Sequence, residues 1–272
     1  MKVLDAACTK AFIQMAEDGW QQRWHERNGG NLSYRMTMDD VSDVAENFDL
    51  SGEWLPIGTS VPGLAKEHFM ITGTGRYFQN VIRDPEHSLG IIEIDEKGEN
   101  YRIVWGLADG GRPTSELPTH LMNHEVKKKQ TDGRHRVIYH CHPANVIALT
   151  FVLPLTDEAF TRQLWEMMTE SPVIFPEGIG VVPWMVPGGR EIAVETAKKM
   201  EHYNAVIWAM HGIFCSGATF DETFGLTHAI EKSAEILLKV LAVGGKRQTI
   251  TADNFCDLAK AFHVTLPEKF LD

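Results

Sequence analysis

Arg136-Val137-Ile138-Tyr139-His140-Cys141-His142 is an apolar run with two histidines at its end, and Pro143 follows it directly. β-Branched and aromatic residues favour a strand and a proline ends regular pairing, so the run predicts a strand that stops at residue 142. Residues two positions apart on a strand face the same side and lie about 6.6 Å apart. The side chains of His140 and His142 therefore share one face of the predicted sheet, while Cys141 faces the other.

Strand and helix patterns alternate on both sides of this run. The segment from residue 38 to 66 has no clear period, and we assign no element there. Elsewhere the pattern predicts a helix over 4–26, strands over 32–36 and 69–72, a β-hairpin of 90–94 with 101–105, helices over 117–129 and from 144, a strand over 205–210 and a long helix over 219–243. Interleaved elements without an internal repeat or a Ser/Pro linker predict one α/β domain over residues 1–272.

The composition excludes several classes of protein. The 272 residues include 26 Lys and Arg against 37 Asp and Glu, and 43% are hydrophobic, so a folded core is expected and disorder as the dominant state is excluded. The net charge of -11 argues against non-specific binding to nucleic acid or to anionic membranes. No apolar run of about 18 residues and no apolar signal core occur, so we expect a cytoplasmic protein. Four cysteines without C-x-x-C spacing indicate no disulfide framework.

A third histidine changes how the His-x-His pair is interpreted. On its own, such a pair fits a hydrogen-bonded core or surface position as well as it fits a metal site. His211 also follows an apolar run, and Gly212 after it lets the backbone approach a bound group closely. Three imidazoles with one open position are typical of catalytic Zn²⁺, and three neutral nitrogens suit zinc better than magnesium or calcium. The sequence therefore predicts a zinc site at His140, His142 and His211.

Glu116 lies in Gly111-Arg112-Pro113-Thr114-Ser115-Glu116-Leu117-Pro118, between a strand and a helix. Pro118 fits the first turn of the helix, so Thr114 and Ser115 precede its N-terminus, where free N–H groups and the helix dipole favour an anion. A carboxylate in a first turn most often stabilises only the helix start. The pattern alone favours that structural interpretation of Glu116 over a catalytic one.

Two glycine-rich segments are further candidates for anion binding. Asn28-Gly29-Gly30-Asn31 and Thr72-Gly73-Thr74-Gly75 offer exposed N–H groups and side-chain donors. Neither has the spacing of a P-loop or of a dinucleotide-binding turn, so on their own they predict only turns. Two aromatic stretches, Arg162-Gln163-Leu164-Trp165-Glu166 and Trp184-Met185-Val186-Pro187-Gly188, are more typical of core or of a subunit interface.

Taken together, these motifs resemble those of the class II aldolases, a family that includes rhamnulose-phosphate and fuculose-phosphate aldolases and ribulose-phosphate 4-epimerases. The resemblance covers nearly the whole chain. The Asn28–Asn31 turn, the His-x-His pair and His211-Gly212 are similar across the superfamily, whereas the two aromatic stretches resemble the rhamnulose-phosphate branch. The family often has Ser where Thr74 stands, and a hydroxyl is kept.

The resemblance implies a three-layer αβα domain with a mixed or largely antiparallel central sheet flanked by helices. Residues 1–66 would be an N-terminal helical and irregular part, and 67–272 a metal-binding catalytic core. One Zn²⁺ per subunit would be held by His140, His142 and His211, with Glu116 as the catalytic acid/base. Glu170 would reach a neighbouring subunit's site in a C4 homotetramer, as a catalytic residue or only an interface contact. The phosphate and dihydroxyacetone end of the substrate would be lined by Asn28, Gly29, Asn31, Thr74, Gly75, Thr114 and Ser115.

The implied activity is a lyase reaction of L-rhamnose degradation. It is the reversible retro-aldol cleavage of L-rhamnulose 1-phosphate to dihydroxyacetone phosphate and L-lactaldehyde. Zn²⁺ can stabilise the electrons that cleavage leaves on C3, and no lysine Schiff base is needed. A base takes the C4 hydroxyl proton, and we assign the protonation of C3 to Glu116. We hypothesise that Glu116 occupies the fourth metal position at rest and moves away when substrate arrives.

Other functions remain open at this point. A fuculose-phosphate aldolase or a pentulose-phosphate 4-epimerase would use the same metal and the same bond cleavage. A non-catalytic module like the adducin head tends to lose the metal ligands, and all three are present here. A Schiff-base aldolase needs a buried lysine, but the lysines fall mostly in polar stretches such as Lys127 to Lys129.

Overall fold

A computed structural model describes residues 1–271, and its nine strands form one sheet. In chain order they are β1 (Asn31–Arg35), β2 (Leu55–Pro56), β3 (His68–Thr72), β4 (Leu89–Ile94), β5 (Asn100–Gly106), β6 (Val137–Cys141), β7 (Gly180–Val182), β8 (Ala205–Trp208) and β9 (Gly212–Gly217). Their order across the sheet is β2-β5-β4-β3-β1-β6-β9-β8-β7. Among these nine described strands only β7 and β8 pair in parallel, so the sheet is mixed and largely antiparallel, as predicted.

The described α-helices are α1 (Ala7–Gln21), α2 (Met38–Val44), α3 (Pro85–Ser88), α4 (Leu117–Gln130), α5 (Ala144–Leu149), α6 (Asp157–Trp165), α7 (Ser171–Ile174), α8 (Arg190–Met200), α9 (Phe220–Ala242) and α10 (Ala252–Phe262). Short 3₁₀ helices cover Val3–Asp5, Ala45–Asn47, Pro62–Leu64, Phe78–Asn80 and Glu268–Phe270. Within residues 1–271, no helix has the length and apolar character needed to span a bilayer.

The helices cover both faces of the sheet. Helices α1, α5 and α9 pack together on one face, and α4 packs with α8 on the other. Neighbouring residues of β1 show the two faces, because Ser33 contacts His124 of α4 whereas the Tyr34 ring packs on Phe220 of α9. The α/β class with helices around a central sheet is confirmed.

The centre of the sheet brings distant parts of the chain into register. Strand β1 lies between β3 and β6, with Asn31 opposite His140. On the other side of β6, His140 lies opposite Phe214 of β9. A strand from the first 66 residues thus pairs directly with the strand that carries the His-x-His pair. The division of the domain at residue 66 stays a prediction.

Local sequence explains where the last long helix begins and ends. The Thr219 hydroxyl accepts a hydrogen bond from the Glu222 N–H at 3.1 Å and so caps α9. The Glu222 carboxylate accepts from the N–H of Ala218 rather than that of Thr219, so the predicted capping box is only half formed. The helix ends at Ala242, just before Gly244.

Several elements differ from the sequence prediction, and two of the differences concern strands next to the predicted site. Strand β9 was not predicted, because glycines at both ends of Gly212–Gly217 hide its β pattern. It forms a hairpin with β8, and His211 lies in the turn, next to Met210 with its positive φ of 60°. Strand β6 ends at Cys141 rather than at residue 142, because the His142 N–H donates to the Trp24 carbonyl at 2.9 Å instead of to another strand.

Candidate functional site

A cavity of about 210 Å³ opens where β1, β6 and the β8–β9 turn meet. It brings together every residue predicted from sequence for metal and substrate binding, together with Glu116. Glu170 is exposed at the start of α7 and does not line this cavity. The lining residues are Asn28, Gly29, Gly30, Asn31, Gly73, Thr74, Gly75, Thr114, Ser115, Glu116, His140, His142, Pro187, Gly188 and His211.

Three imidazoles converge on one point of this cavity. The Nε2 atom of His140 lies 3.3 Å from that of His142 and 3.3 Å from that of His211. Ligands about 2.0–2.1 Å from a tetrahedral zinc ion lie about 3.3–3.4 Å from one another, so these distances fit the edges of such a site. Among the described residues, the metal-ligating atoms of these three side chains all lie within 4.8 Å of one another.

Hydrogen bonds behind the rings leave their inner nitrogens free to bind a metal ion. His140 donates from Nδ1 to the Ile213 carbonyl at 3.0 Å, so its Nε2 is a bare acceptor. His142 Nδ1 lies 2.6 Å from the Glu26 carboxylate, the carboxylate–histidine arrangement common behind metal ligands. Burial lowers the pKa of His211 to about 4 and that of His140 well below its ordinary value, which keeps both rings neutral. The donor set fits a zinc ion.

Glu116 faces the same point from the start of α4. Its Oε2 lies 3.6 Å from His140 Nε2 and accepts a 2.8 Å hydrogen bond from the Asn31 amide. Although Glu116 is the N-cap residue of α4, its side chain accepts no bond from the helix N–H groups. Burial raises the pKa of Glu116 to about 7, and the Asn31 bond partly opposes this. A carboxyl poised near neutrality can both take and give a proton.

The turn before β1 is held by a buried histidine. Gly30 has a φ of +74°, and a Cβ at this position would lie 2.4 Å from the His25 ring, so only glycine fits. His25 donates from Nδ1 to the Gly29 carbonyl at 3.0 Å and accepts from the Tyr139 hydroxyl at 2.7 Å. Its pKa is lowered to about 3 by burial, so the ring stays neutral. His25 therefore fixes the turn that forms one wall of the cavity.

The opposite wall is a short bridge between two loops. The Thr74 N–H donates to the Arg112 carbonyl and the Thr114 N–H to that of Thr72, both at 2.9 Å. The N–H groups of Gly30, Gly75 and Ser115 donate to no acceptor among residues 1–271. No lysine or arginine side chain in this described part of the chain lines the cavity. Free N–H groups and hydroxyls are thus the donors available to an anion here.

The sequence profile of the family described as "Class II Aldolase and Adducin N-terminal domain" matches residues 10–238. The chain belongs to the class II aldolase and adducin family. It is 48% identical over 263 residues to rhamnulose-1-phosphate aldolase from Mannheimia succiniciproducens, covering 97% of each chain. It is 45% identical over 270 residues to the protein of the same name from Klebsiella pneumoniae, covering 99% of this chain and 98% of that one.

Solved structures support the same class II aldolase fold. A sugar-phosphate aldolase from Thermotoga maritima matches with a TM-score of 0.76 at 29% sequence identity, over 88% of this chain and 97% of that one. An L-fuculose 1-phosphate aldolase has a TM-score of 0.61 at 21% identity, over 95% of this chain and 97% of that one, which shows a common fold. The resemblance to class II aldolases that the motifs indicated is confirmed.

Sequence reasoning missed several residues of this class II aldolase cavity. Pro187 and Gly188 line it, although their stretch was interpreted as core or interface, and Trp184 in that stretch is 63% exposed. A Pro-Gly pair after an aromatic run signals a turn and was the available clue. His25 and Glu26 contact the cavity from behind, and no local pattern distinguishes them from other polar residues at a helix end. In the other aromatic stretch, Trp165 is buried, as predicted.

A buried lysine is present in a polar stretch, contrary to what the sequence pattern indicated. Lys127 belongs to a polar stretch but is only 3% exposed, and burial lowers its pKa to about 8. Its Nζ donates to the Asn204 side chain at 2.7 Å. Lys127 does not line the cavity that holds the three histidines, so it does not supply a lysine to that site.

Proposed function

We propose that this class II aldolase cleaves L-rhamnulose 1-phosphate reversibly into dihydroxyacetone phosphate and L-lactaldehyde. The observation that carries the proposal is the convergence of three imidazoles and one buried carboxyl in a cavity lined by free N–H groups and hydroxyls. The names of the relatives that match along almost their full length support the choice of substrate.

His140, His142 and His211 would hold one Zn²⁺ per subunit. Breaking the C3–C4 bond leaves an electron pair on C3, and a bound divalent ion supplies the Lewis acid that stabilises this charge. The Glu26 carboxylate behind His142 and the Ile213 carbonyl behind His140 orient two of the rings. The 3.6 Å between Glu116 and His140 Nε2 is also consistent with Glu116 as the fourth ligand at rest.

Glu116 is the group we assign to protonate C3 and release dihydroxyacetone phosphate. Its carboxyl lies beside the three imidazoles and is 7% exposed. Burial favours the neutral acid, whereas the Asn31 N–H favours the carboxylate, so both protonation states are within reach near pH 7. A second group must take the proton of the C4 hydroxyl as the aldehyde forms.

Capture of the substrate phosphate would rest on local donors. Asn28, Gly29, Asn31, Thr74, Gly75, Thr114 and Ser115 would surround the phosphate and the dihydroxyacetone end. The chain carries a net charge of -11, so long-range attraction does not favour a phosphate dianion. Backbone N–H groups, hydroxyls and a bound cation act at short range and do not need a positive overall field. A phosphate that binds among exposed lysines and arginines instead would contradict this part of the proposal.

We further propose a C4 homotetramer in which Glu170 reaches the cavity of a neighbouring subunit. Glu170 is exposed and lies outside the cavity of its own chain. Mixed oligomers test this: a Glu170→Ala subunit keeps Glu116, and its Glu116→Gln neighbour supplies Glu170. Mixing the two inactive variants after dissociation should restore activity, and light scattering should give four subunits. No recovery in a proven mixed tetramer would contradict the role of Glu170.

The reaction itself is tested by adding L-rhamnulose 1-phosphate to the purified protein and trapping the products. We expect both dihydroxyacetone phosphate and L-lactaldehyde, full loss of activity after exhaustive chelation, and recovery with Zn²⁺. L-Fuculose 1-phosphate yields the same products and differs in configuration at C4, so faster cleavage of that substrate would overturn the choice. Interconversion of two pentulose phosphates without free aldehyde would indicate the epimerase, and no reaction at all would favour a binding module.

A further inference from the structure

A chain of buried hydrogen bonds leads away from Glu116 into the core between β1 and α4. The Asn31 amide contacts Glu116 through Nδ2 at 2.8 Å and His120 Nε2 through Oδ1. The Ser33 hydroxyl lies 2.6 Å from His120 Nδ1 and 2.8 Å from His124 Nε2. All of these side chains are at least nine-tenths buried. The chemistry of C–C bond cleavage needs none of the last three residues directly.

Because the imidazoles are neutral, all the hydrogen bonds in this series must run in the same donor-to-acceptor order. Each neutral ring has one donor and one acceptor nitrogen, so fixing one bond fixes the next. If Asn31 donates to Glu116, its Oδ1 must accept from His120 Nε2–H, and His120 Nδ1 must then accept from the Ser33 hydroxyl. The Ser33 oxygen accepts in turn from His124 Nε2–H. Burial lowers the pKa of His120 to about 3 and that of His124 well below its ordinary value, so both rings are neutral.

The far end of the chain selects this direction over its reverse. His124 Nδ1 is buried and has no partner among the described residues. In the direction just described this atom is a bare acceptor, whereas in the reverse direction it would carry a buried N–H without an acceptor. Orphaned buried N–H groups are the rarer and costlier case. The reverse direction would also turn the Asn31 carbonyl towards a carboxylate oxygen of Glu116.

We infer that Ser33, His120 and His124 are positioning residues that hold the Asn31 amide with its NH₂ group towards Glu116. They fix the carboxylate beside the three imidazoles, although they do not touch the cavity. This inference rests on the proposed function for its effect on turnover. The orientation of Asn31 itself is a property of the resting protein.

Neutron diffraction from a deuterated crystal of the whole enzyme without substrate tests the direction of the chain. We expect deuterons on Nε2 of both His120 and His124, none on either Nδ1, and the ND₂ group of Asn31 towards Glu116. Deuterons on both Nδ1 atoms, or a doubly protonated ring, would overturn the inference. This measurement needs no variant and does not depend on activity.

Ser33→Ala tests the effect on turnover, with Thr119→Val as the matched control. Thr119 lies next to His120 on α4, and its buried hydroxyl has no hydrogen-bond partner, so both variants delete one buried hydroxyl. We expect Ser33→Ala to lower kcat by about tenfold, the lower end of the range for residues behind a site. KM and the zinc content should stay at their wild-type values. Thr119→Val should keep the wild-type kcat.

Several outcomes of the Ser33 experiment would overturn the inference. One is a kcat equal to that of Thr119→Val, and another is a loss explained by lower zinc content or a higher KM. If Ser33→Ala does not fold, the deuteron positions from neutron diffraction alone test the orientation of Asn31. A wild-type enzyme that cleaves no ketose phosphate would overturn the proposed function instead, and the diffraction result would still test the orientation of Asn31.

Discussion

Two groups of three histidines lie close together and differ in what their ring nitrogens meet. The cavity histidines are His140, His142 and His211, and the inner histidines are His25, His120 and His124. In the inner group, protein atoms occupy every Nε2, from the Tyr139 hydroxyl to Asn31 and Ser33. In the cavity group, His140 Nε2 lies 3.3 Å from the Nε2 atoms of both His142 and His211.

The difference between the two groups indicates how a candidate metal ligand can be told from a structural histidine. Both groups contain rings that burial keeps neutral, so neither burial nor a lowered pKa separates them. What separates them is the direction of the Nε2 lone pair: that of His140 faces the Nε2 atoms of His142 and His211, whereas each inner Nε2 contacts a hydroxyl or an amide. Hydrogen bonds to the back of the ring, such as His140 Nδ1 to the Ile213 carbonyl, direct that lone pair into the cavity.

Removing a cavity histidine should have the largest effect. His211→Ala should lose bound zinc and at least about 10³-fold of activity, since a metal ion contributes several kcal/mol of charge stabilisation. His211 lies in a turn and is only partly buried, so the fold should persist. Metal analysis and turnover measure both effects, and exposed His202→Ala is the control. If His211→Ala kept wild-type turnover without bound metal, the cavity histidines would not differ from the inner ones in the way proposed.

Changing the Glu116 carboxyl, which lies between His140 and the Asn31 amide, should have the next largest effect. Glu116→Gln should lower kcat by about 10²–10⁴-fold, because the amide cannot transfer a proton, and should keep bound metal. Glu231→Gln is a matched control, since Glu231 is also buried with a raised pKa but accepts bonds from the Asn145 and Val146 N–H groups at the start of α5. That variant should lose stability rather than turnover. Near wild-type kcat in Glu116→Gln would refute the assigned role.

The inner histidines should make the free energy of unfolding depend on pH below about 6.5. The pKa of His25 falls from 6.5 to about 3 on folding, so between these values the unfolded chain binds a proton that the folded chain does not. The stability that neutral His25 contributes is complete above pH 6.5. Below pH 6.5 it is lost as the pH falls towards 3, by about 1.4 kcal/mol of unfolding free energy per pH unit. Urea titrations from pH 7 to 4.5 should show a shallower slope for His25→Gln than for wild type. A slope in His25→Gln equal to that of wild type would show that folding does not lower the pKa of His25.

The smallest effect concerns the carboxylate behind a cavity histidine. Glu26→Gln should weaken zinc binding by about tenfold, the lower end for such residues, because the Glu26 side chain is 66% exposed. Competition with a chromogenic chelator measures the Kd. Glu17→Gln, on the exposed side of α1, is the control. An unchanged Kd for Glu26→Gln would mean that the 2.6 Å contact with His142 does not support the ligand.

The parts of the site that sequence predicted are those with a local signal. The apolar run ending in the His-x-His pair predicted the strand and the shared direction of two rings. The glycines around Asn28–Asn31 predicted a turn with free N–H groups. Pro118 placed the start of α4, although the pattern favoured a structural interpretation of Glu116. The structure instead turns that side chain away from the helix N–H groups and towards Asn31.

The parts that sequence did not predict depend on register and on packing between distant elements. Asn31 meets Glu116 only because β1 pairs beside β6 and α4 packs over both. Nothing in the local sequence distinguishes Ser33 from other strand residues, because its contacts with His120 and His124 form only when α4 packs on β1. The turn that carries His211 needed β9, whose glycine-rich ends conceal a strand. No period in the sequence reports such contacts.

The central register β1-β6-β9 also determines when the site can assemble during synthesis. Residue 31 pairs with residue 140, which in turn pairs with residue 214, so pairing the three strands closes two long loops of the chain. Long-range pairing of this kind forms slowly and late. Because chains emerge from the ribosome N-terminus first, the nascent protein holds β1 and β6 well before β9 exists. At that stage a metal ion can bind only His140 and His142. The third imidazole, that of His211, becomes available only after the hairpin of β8 and β9 has emerged.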